Sequence, residues 1–284
     1  QYFNPCFELL NDCIFNSIFD VAEIERQRQK ILAIIMQNNS NPNYLAQVAF
    51  NIGMFNGHNY AHPRIGDLES VSKITKNDLT EFYHKLLKSS EISIIITGNF
   101  NEKNIRKQIE NSFEIISNNK SNEIIPNHNP TRHKNLIADK DDALQTNLII
   151  GKAVDINRKS PIYPHFQVIN TIFGGYFLSR LNHILREVKG LTYGIFSYLD
   201  SRKYGNAFCI STSINQDKTN ASINDIFEIS NEMANKKISE EEIKRSVAFM
   251  TGSFARTLET PKQITGLIQT IDTYDLELNF MTKF

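Results

Sequence analysis

The 284-residue sequence lacks net charge, long hydrophobic runs and a useful set of cysteines, and it contains none of the compact signatures of hydrolytic catalysis. Its 31 basic residues balance 31 acidic ones, which removes the bulk electrostatic attraction on which nucleic-acid and anionic-membrane binding rests. The longest apolar stretch, ISIIITG, is strand-sized and far short of the ~18 residues of a membrane-spanning helix. Cys6, Cys13 and Cys209 are odd in number and scattered, so they form neither a disulfide framework nor a C-x-x-C metal knuckle, and each reads as a small buried hydrophobe. H-E-x-x-H, H-x-x-E-H and G-x-S-x-G are all missing. His58 and His62 have the i, i+4 interval of helical metal ligands, but Gly57, Pro63 and Gly66 put them in a loop. There the interval has no geometric force, and local hydrogen bonding is the expected role. Gly174-Gly175 is not followed by Lys-Ser or Lys-Thr, so it suits close packing, or backbone room for an extended ligand, better than a phosphate cradle.

What is present divides the chain. A length of 284 residues suits two domains of roughly 100 to 150 residues each. In Phe19–Met36, Ile24, Ile31, Leu32 and Ile35 recur at helical spacing behind an acidic capping box of Asp20 and Glu23. The design returns at Ile238–Leu258 with Ser239 and Glu242 as the box, and each copy follows a shorter amphipathic segment. This reads as a weak internal duplication. Ser90–Phe100 reads as a buried strand leading into the helix NEKNIRKQIENSFEII. The second copy has too little chain after it for an equivalent, and the first has too little before it, so both ends are expected to be cut inside repeat units. The expected organisation is a partial first domain at 1–116, a polar, Asn-rich, proline-punctuated linker at 117–138, and an incomplete second domain at 139–284.

The second half alternates in blocks. A strand in ALQTNLIIGKAV precedes a helix at Tyr163–Phe173, a second helix ended by Gly190, and antiparallel strands at Thr192–Asp200 and Gly205–Asn215 joined by SRKY. These blocks predict an α+β fold with a mainly antiparallel sheet covered by helices on one face. Arg186 and Tyr193 stand seven residues apart across the Gly190 junction. A basic residue in the last helical turn complements the macrodipole, and an aromatic suits a strand, so both have a structural role available. Both also carry donors suited to the carbonyl oxygens of an extended peptide.

The stretch GGYFLSRLNHILREVKGLTYGIFSYLDSRKYGNAFCISTSI resembles the C-terminal half of the pitrilysin and insulinase superfamily of zinc peptidases, which includes mitochondrial processing peptidase. ERQRQKILAII, HNYAHPRIGDLESVSKITKNDLTEFY and IIITGNF resemble its N-terminal half, collinearly. The resemblance implies two homologous α+β domains of a clamshell half, and it gives Arg186 and Tyr193 the role of a pair that holds the substrate backbone opposite zinc. It also implies a departure. Catalytic members carry a glutamate zinc ligand on the helix matching Ile24–Ile35 and a second acid seven residues earlier, whereas this sequence has Ile34 and Gln27 there. Isoleucine has no lone pair to give a metal, so no catalytic or metal-ligating residue is expected in this chain.

The resemblance therefore implies a substrate-binding, non-catalytic subunit of a heterodimeric metalloendopeptidase acting on extended peptides, with zinc in a homologous partner subunit. Its peptide would add a strand to a sheet edge in the second half. The alternatives are a structural core-type subunit and a peptide-binding protein without proteolytic role. Neither a nucleic-acid partner nor a membrane span is expected; the implied compartment is the periplasm, with the cytoplasm as the alternative.

Overall fold

A computed structural model describes residues 3–89, 92–114, 135–141 and 143–283. The chain forms two compact units, one of residues 1–37 and 64–124, the other of residues 38–63 and 125–284. Of the expected linker at 117–138, residues 117–134 lie outside the described residues, and 135–138 have no regular structure.

The first unit is helical where it is described. Helices α1 (Phe3–Phe15) and α2 (Val21–Asn39) come before the segment that builds α3 (Pro42–Met54) of the other unit. Helices α4 (Leu68–Lys73), α5 (Lys76–Ser89) and α6 (Glu102–Phe113) follow. In α2 the predicted apolar stripe turns inward, with Ile24, Ile31 and Leu32 half-buried and Ile35 buried. Asp20 accepts the Glu23 N–H at 3.0 Å, as a cap should. The return arm of the box is not made, because the Glu23 carboxylate is engaged by Arg26 and Gln27. Arg28 reaches from α2 to the carbonyl of Ile74 at 2.6 Å, placing a cation at the carboxyl end of α4.

The strand expected at Ser90–Phe100 is not found among the described residues. Residues 92–97 have no regular structure, and Ile92 and Ile94 are exposed. A strand forms only where a neighbour takes up its ladder hydrogen bonds, and the first unit contains no other strand among the described residues.

The second unit is mixed. Strands β1 (Gln145–Ala153), β2 (Ile195–Arg202) and β3 (Gly205–Asn215) form an antiparallel sheet in the order β1-β3-β2. Arg202 pairs with Gly205 across a two-residue turn, and Ile195 with Thr212. Helix α7 (Tyr163–Asn170) runs into a π-helical turn at Thr171–Gly175, and a second π-helical segment occupies Asn182–Val188. Helices α8 (Thr219–Asn235), α9 (Glu240–Arg256) and α10 (Pro261–Thr273) complete the unit. The Ser239 and Glu242 capping box predicted for α9 forms in both directions. So does a box of Thr260 and Gln263 before α10.

Strand periodicity sends alternate β3 residues to opposite faces. Ile210 enters the core of Phe173, Leu181, Leu185, Ile195, Ile226 and Ile229. Ala207 and Cys209 meet Phe55, with Phe50, Met54 and Tyr60 around them. The sheet is therefore covered on both faces rather than on one. The second cover comes from 42–61, which lies within the expected first domain of 1–116; Phe55, fully buried, accounts for its association with the sheet.

Cys209 is buried as expected, but Cys6 and Cys13 are exposed, on a helix with no buried residue. Burial raises the Cys209 thiol to about 12, and only the thiolate is nucleophilic. A thiol-specific reagent at neutral pH is expected to label Cys6 and Cys13 in the native chain and Cys209 only on unfolding, counted by intact-mass spectrometry. Rapid native labelling of all three would contradict this packing.

Candidate functional site

The site is built on the polypeptide from the glycine pair to the start of β2. Gly174 approaches β2 so closely that a Cβ there would lie 2.5 Å from Ser197 Oγ and 2.8 Å from its backbone nitrogen. Close packing thus explains the glycine. Beyond it, Leu178, Leu181, Asn182 and Leu185 recur with helical spacing. Leu181 and Leu185 are buried, and so is the polar member Asn182.

Asn182 does the work of a neighbouring strand. Its Nδ2 donates to Ile195 O at 2.8 Å and its Oδ1 accepts from Ile195 N at 3.2 Å. The same amide reaches Tyr176 O and Ser179 Oγ, each at 3.2 Å. Two residues on, Ser197 Oγ donates to Asn170 Oδ1 at 2.7 Å. The outer edge of β2 is thus taken up by side chains at Ile195 and closely approached by Gly174 at Ser197. An incoming peptide strand does not find a free ladder there, which leaves β1 as the other edge of the sheet.

The helical segment ends at Gly190 as predicted, with φ of +61°. Leu191 N donates to Leu185 O at 2.8 Å and Lys189 N to Ile184 O at 3.0 Å, closing the terminal carbonyls. Hydroxyls then fix the connecting loop. Thr192 Oγ1 donates to Gly194 O at 2.9 Å and accepts from Gly194 N at 3.1 Å, while Thr212 Oγ1 of β3 lies 3.0 Å from Thr192 Oγ1. Between these anchors Tyr193 is 93% exposed.

Arg186 is half-buried on the helical segment. Its guanidinium lies 4.0 Å from the centre of the Phe177 ring, a cation–π contact that holds the planar fork in one orientation. Its Nη1 is buried without a hydrogen-bond acceptor among the described residues, and no carboxylate pairs with it. The neighbouring charges are engaged elsewhere, Glu187 with His183 and Lys189 with Asp225. The structure makes no hydrogen bond between Arg186 and Tyr193. Each is positioned separately, on either side of the Gly190 turn. Phe177 was not singled out in the sequence, although an aromatic directly after G-G-Y and outside the apolar stripe was the available signal.

The opposite side of this segment is locked to α9. Arg180 donates to Glu242 through Nε at 2.6 Å and Nη2 at 2.9 Å. That contact, ahead of the bonds from Ser239, holds the Glu242 carboxyl down at about 2. Because the folded value lies below the ordinary 4.5, the stabilisation is complete above about pH 4.5 and is lost as pH falls toward 2. With screening at this partly exposed pair, we expect about 1–2 kcal/mol to disappear over that interval. Urea unfolding at stepped pH is the check: Glu242→Gln should lose less stability than the wild type between the same limits, and equal losses would contradict the assignment.

The α2 positions that would carry zinc ligands in a catalytic relative do not fit a metal. Ile34 is 44% exposed on α2, and Gln27, one face-repeat earlier, donates to Glu23 at 2.6 Å. Glu23 is itself committed to Arg26 and Gln27, which hold its carboxyl at about 2. Among the described residues no three His, Cys, Asp or Glu side chains converge as a metal site. His58 is buried, and its Nδ1 accepts from Tyr60 N at 3.0 Å, the local role expected of a turn histidine. No described helix is long and apolar enough to cross a membrane.

Arg186 on the helical segment and Tyr193 on the loop before β2 are thus presented on either side of a left-handed stop. The family model described as "Peptidase M16 inactive domain" matches residues 73–250, and the chain belongs to that family. The resemblance to zinc peptidases seen in the sequence is thereby borne out. An uncharacterized zinc protease of Bacillus subtilis, YmxG, is 23% identical over 92% of this chain and 63% of its own length. A non-peptidase homolog from Helicobacter pylori, also called YmxG, is 22% identical over 99% of this chain and 65% of its own. Among solved structures, the peptidase M16 inactive domain from Pseudomonas fluorescens superposes with a TM-score of 0.86 at 20% identity, over 98% of this chain and 66% of that one. The chain thus spans a little under two thirds of the length of these proteins.

Proposed function

We propose that this chain is the substrate-binding, non-catalytic subunit of a heterodimeric M16 metalloendopeptidase, acting beside a homologous subunit that carries zinc. In this reading residues 1–116 and 139–284 belong to two related clamshell-half domains, and the periplasm is the proposed compartment. The observation that carries the reading is the buried, acceptor-free Nη1 of Arg186, on a guanidinium held flat by Phe177. A peptide carbonyl is the acceptor such a donor lacks, and a charge-assisted hydrogen bond supplies both affinity and register. Tyr193, exposed on a loop tied down by Thr192 and Thr212, offers a phenol hydroxyl to a second carbonyl. The name of the Helicobacter pylori relative, a non-peptidase homolog, is in keeping with a chain that does no hydrolysis of its own.

With β2 occupied by Asn182, the peptide is held by side-chain donors rather than by strand addition at that edge. General-base and metal chemistry fall to the partner. Side-chain substitution in the reconstituted pair tests the reading: peptide turnover must fall when Arg186 or Tyr193 loses its donor, with the dimer intact by size-exclusion chromatography. Unchanged turnover would leave a structural subunit as the better description.

A further inference from the structure

The hairpin end of the sheet carries a second constellation that includes neither Arg186 nor Tyr193. An open cavity of about 670 Å³ lies there, with Arg158, Lys203, Tyr204 and Tyr274 in its lining. Arg158 is held by two tyrosines. Its Nη1 donates to Tyr163 Oη at 3.0 Å, and its guanidinium carbon lies 4.7 Å from the Tyr274 ring centre and 5.9 Å from that of Tyr163. Tyr274 is in turn fixed by donating its hydroxyl to Ser201 O at 2.8 Å. The Nε of Arg158 is nevertheless buried with no acceptor among the described residues. A buried guanidinium nitrogen without a partner carries a desolvation cost that a bound anion removes.

The other lining charges decide which anion. Arg202 is neutralised by Asp200, which it grips through Nε at 2.9 Å and Nη2 at 2.7 Å. Lys159 is tied to Asp275 at 2.6 Å. Lys203 lies 5.6 Å from the ring centre of Tyr204 and is near enough to help Lys159 lower the Asp275 carboxyl, but it has no carboxylate within ion-pair range among the described residues. Arg158 and Lys203 are thus the lining cations without an ion pair among the described residues, and Asp155 is an acid of the same lining likewise unpaired among them. That balance leaves one positive charge to be met. It suits a monoanion, whereas a phosphate dianion would face Asp155 and Asp275 with charge to spare. The tyrosines add apolar wall beside the donors.

The geometry points to a carboxylate-binding site in which Arg158 Nε–H and the Lys203 ammonium hold a monoanionic carboxylate, its attached body lying against Tyr204 and Tyr274. A peptide can bring that group as its free C-terminus or as an Asp or Glu side chain. The site uses no residue of the Arg186 and Tyr193 region and stands or falls separately from the function proposed above.

The test is a titration of the isotopically labelled chain, following the arginine Nε–H signal that disappears in Arg158→Lys. The probes are acetyl-alanyl-tyrosine, its C-terminal amide, acetyl-aspartyl-alanine amide, and inorganic phosphate. A saturating shift with the free acid and none with its amide is expected. A matching shift with the aspartyl amide would show that a side-chain carboxylate also serves, and its absence would restrict the site to C-termini; both outcomes support the site. Arg158→Lys and Lys203→Ala should each weaken binding of the free acid at least tenfold, while Lys244→Ala, on α9 outside the cavity lining, leaves it unchanged. Lys203 is on the hairpin turn, so its variant keeps the test open if Arg158→Lys fails to fold. Equal shifts with acid and amide, stronger binding of phosphate, or affinity indifferent to Lys203 would each overturn the proposal.

Discussion

Replacing Arg186 with alanine is expected to lower kcat/KM of the reconstituted two-subunit peptidase for an extended peptide about 100-fold. The figure follows from deleting a hydrogen bond between a charged donor and a peptide carbonyl, about 1.5–3 kcal/mol, in a partly desolvated setting. Arg186→Lys should recover little. Lysine keeps the charge, but it has no planar fork to lie on Phe177, whose ring centre is 4.0 Å from the guanidinium. Tyr193→Phe, which removes one neutral donor from an exposed side chain, should cost about tenfold. Stopped or continuous assays with a quenched fluorescent peptide give these ratios directly. Parity between Arg186→Ala and wild type would remove Arg186 from substrate binding.

The second large effect is on stability. Asn182→Leu is expected to destabilise the second unit by about 3 kcal/mol, because it strands both the N–H and the C=O of Ile195 in a buried position. Leucine has the branching of asparagine with larger methyl ends and belongs to the surrounding apolar stripe, so a simple hydrophobic account predicts a gain instead. Denaturant unfolding separates the two. The variant should also loosen the loop from Leu191 to Gly194, seen as faster amide exchange at Ile195 and Gly194, since Asn182 anchors the first residue of β2.

The sequence made the second unit readable because its signals are local. Gly190 had to be a left-handed stop, and β3 appears where expected, whereas β2 runs from Ile195 to Arg202, which leaves Tyr193 in the loop and shortens the turn to Lys203 and Tyr204. Arg186 and Tyr193 were visible for the same reason. What supports them was not legible, since it is tertiary. Phe177 lies nine residues before Arg186, and their contact depends on the turn that ends in Ser179. Asn182 was more accessible: a polar residue on an apolar stripe signals a buried backbone group in need of a partner.

Two readings missed because a local pattern cannot name its neighbour. Residues 92–97 have the composition of a strand, yet a strand is a property of a pair, and no pairing strand occurs among the described residues of that unit. Phe55 carries no mark of the sheet it covers, so the attachment of 42–61 to Ala207 and Cys209 could only be seen in three dimensions. Cys6 and Cys13 show the converse, since their small apolar character fits a core but α1 leaves them exposed.

The central claim is that this chain binds substrate but does not hydrolyse it. It is tested most directly by assaying peptide cleavage and zinc content for this subunit alone, for the zinc-bearing partner alone, and for the two mixed. The account predicts no cleavage and no stoichiometric zinc in this subunit, and turnover in the mixture well above that of the partner alone. Stoichiometric zinc together with cleavage by this subunit in isolation would contradict it.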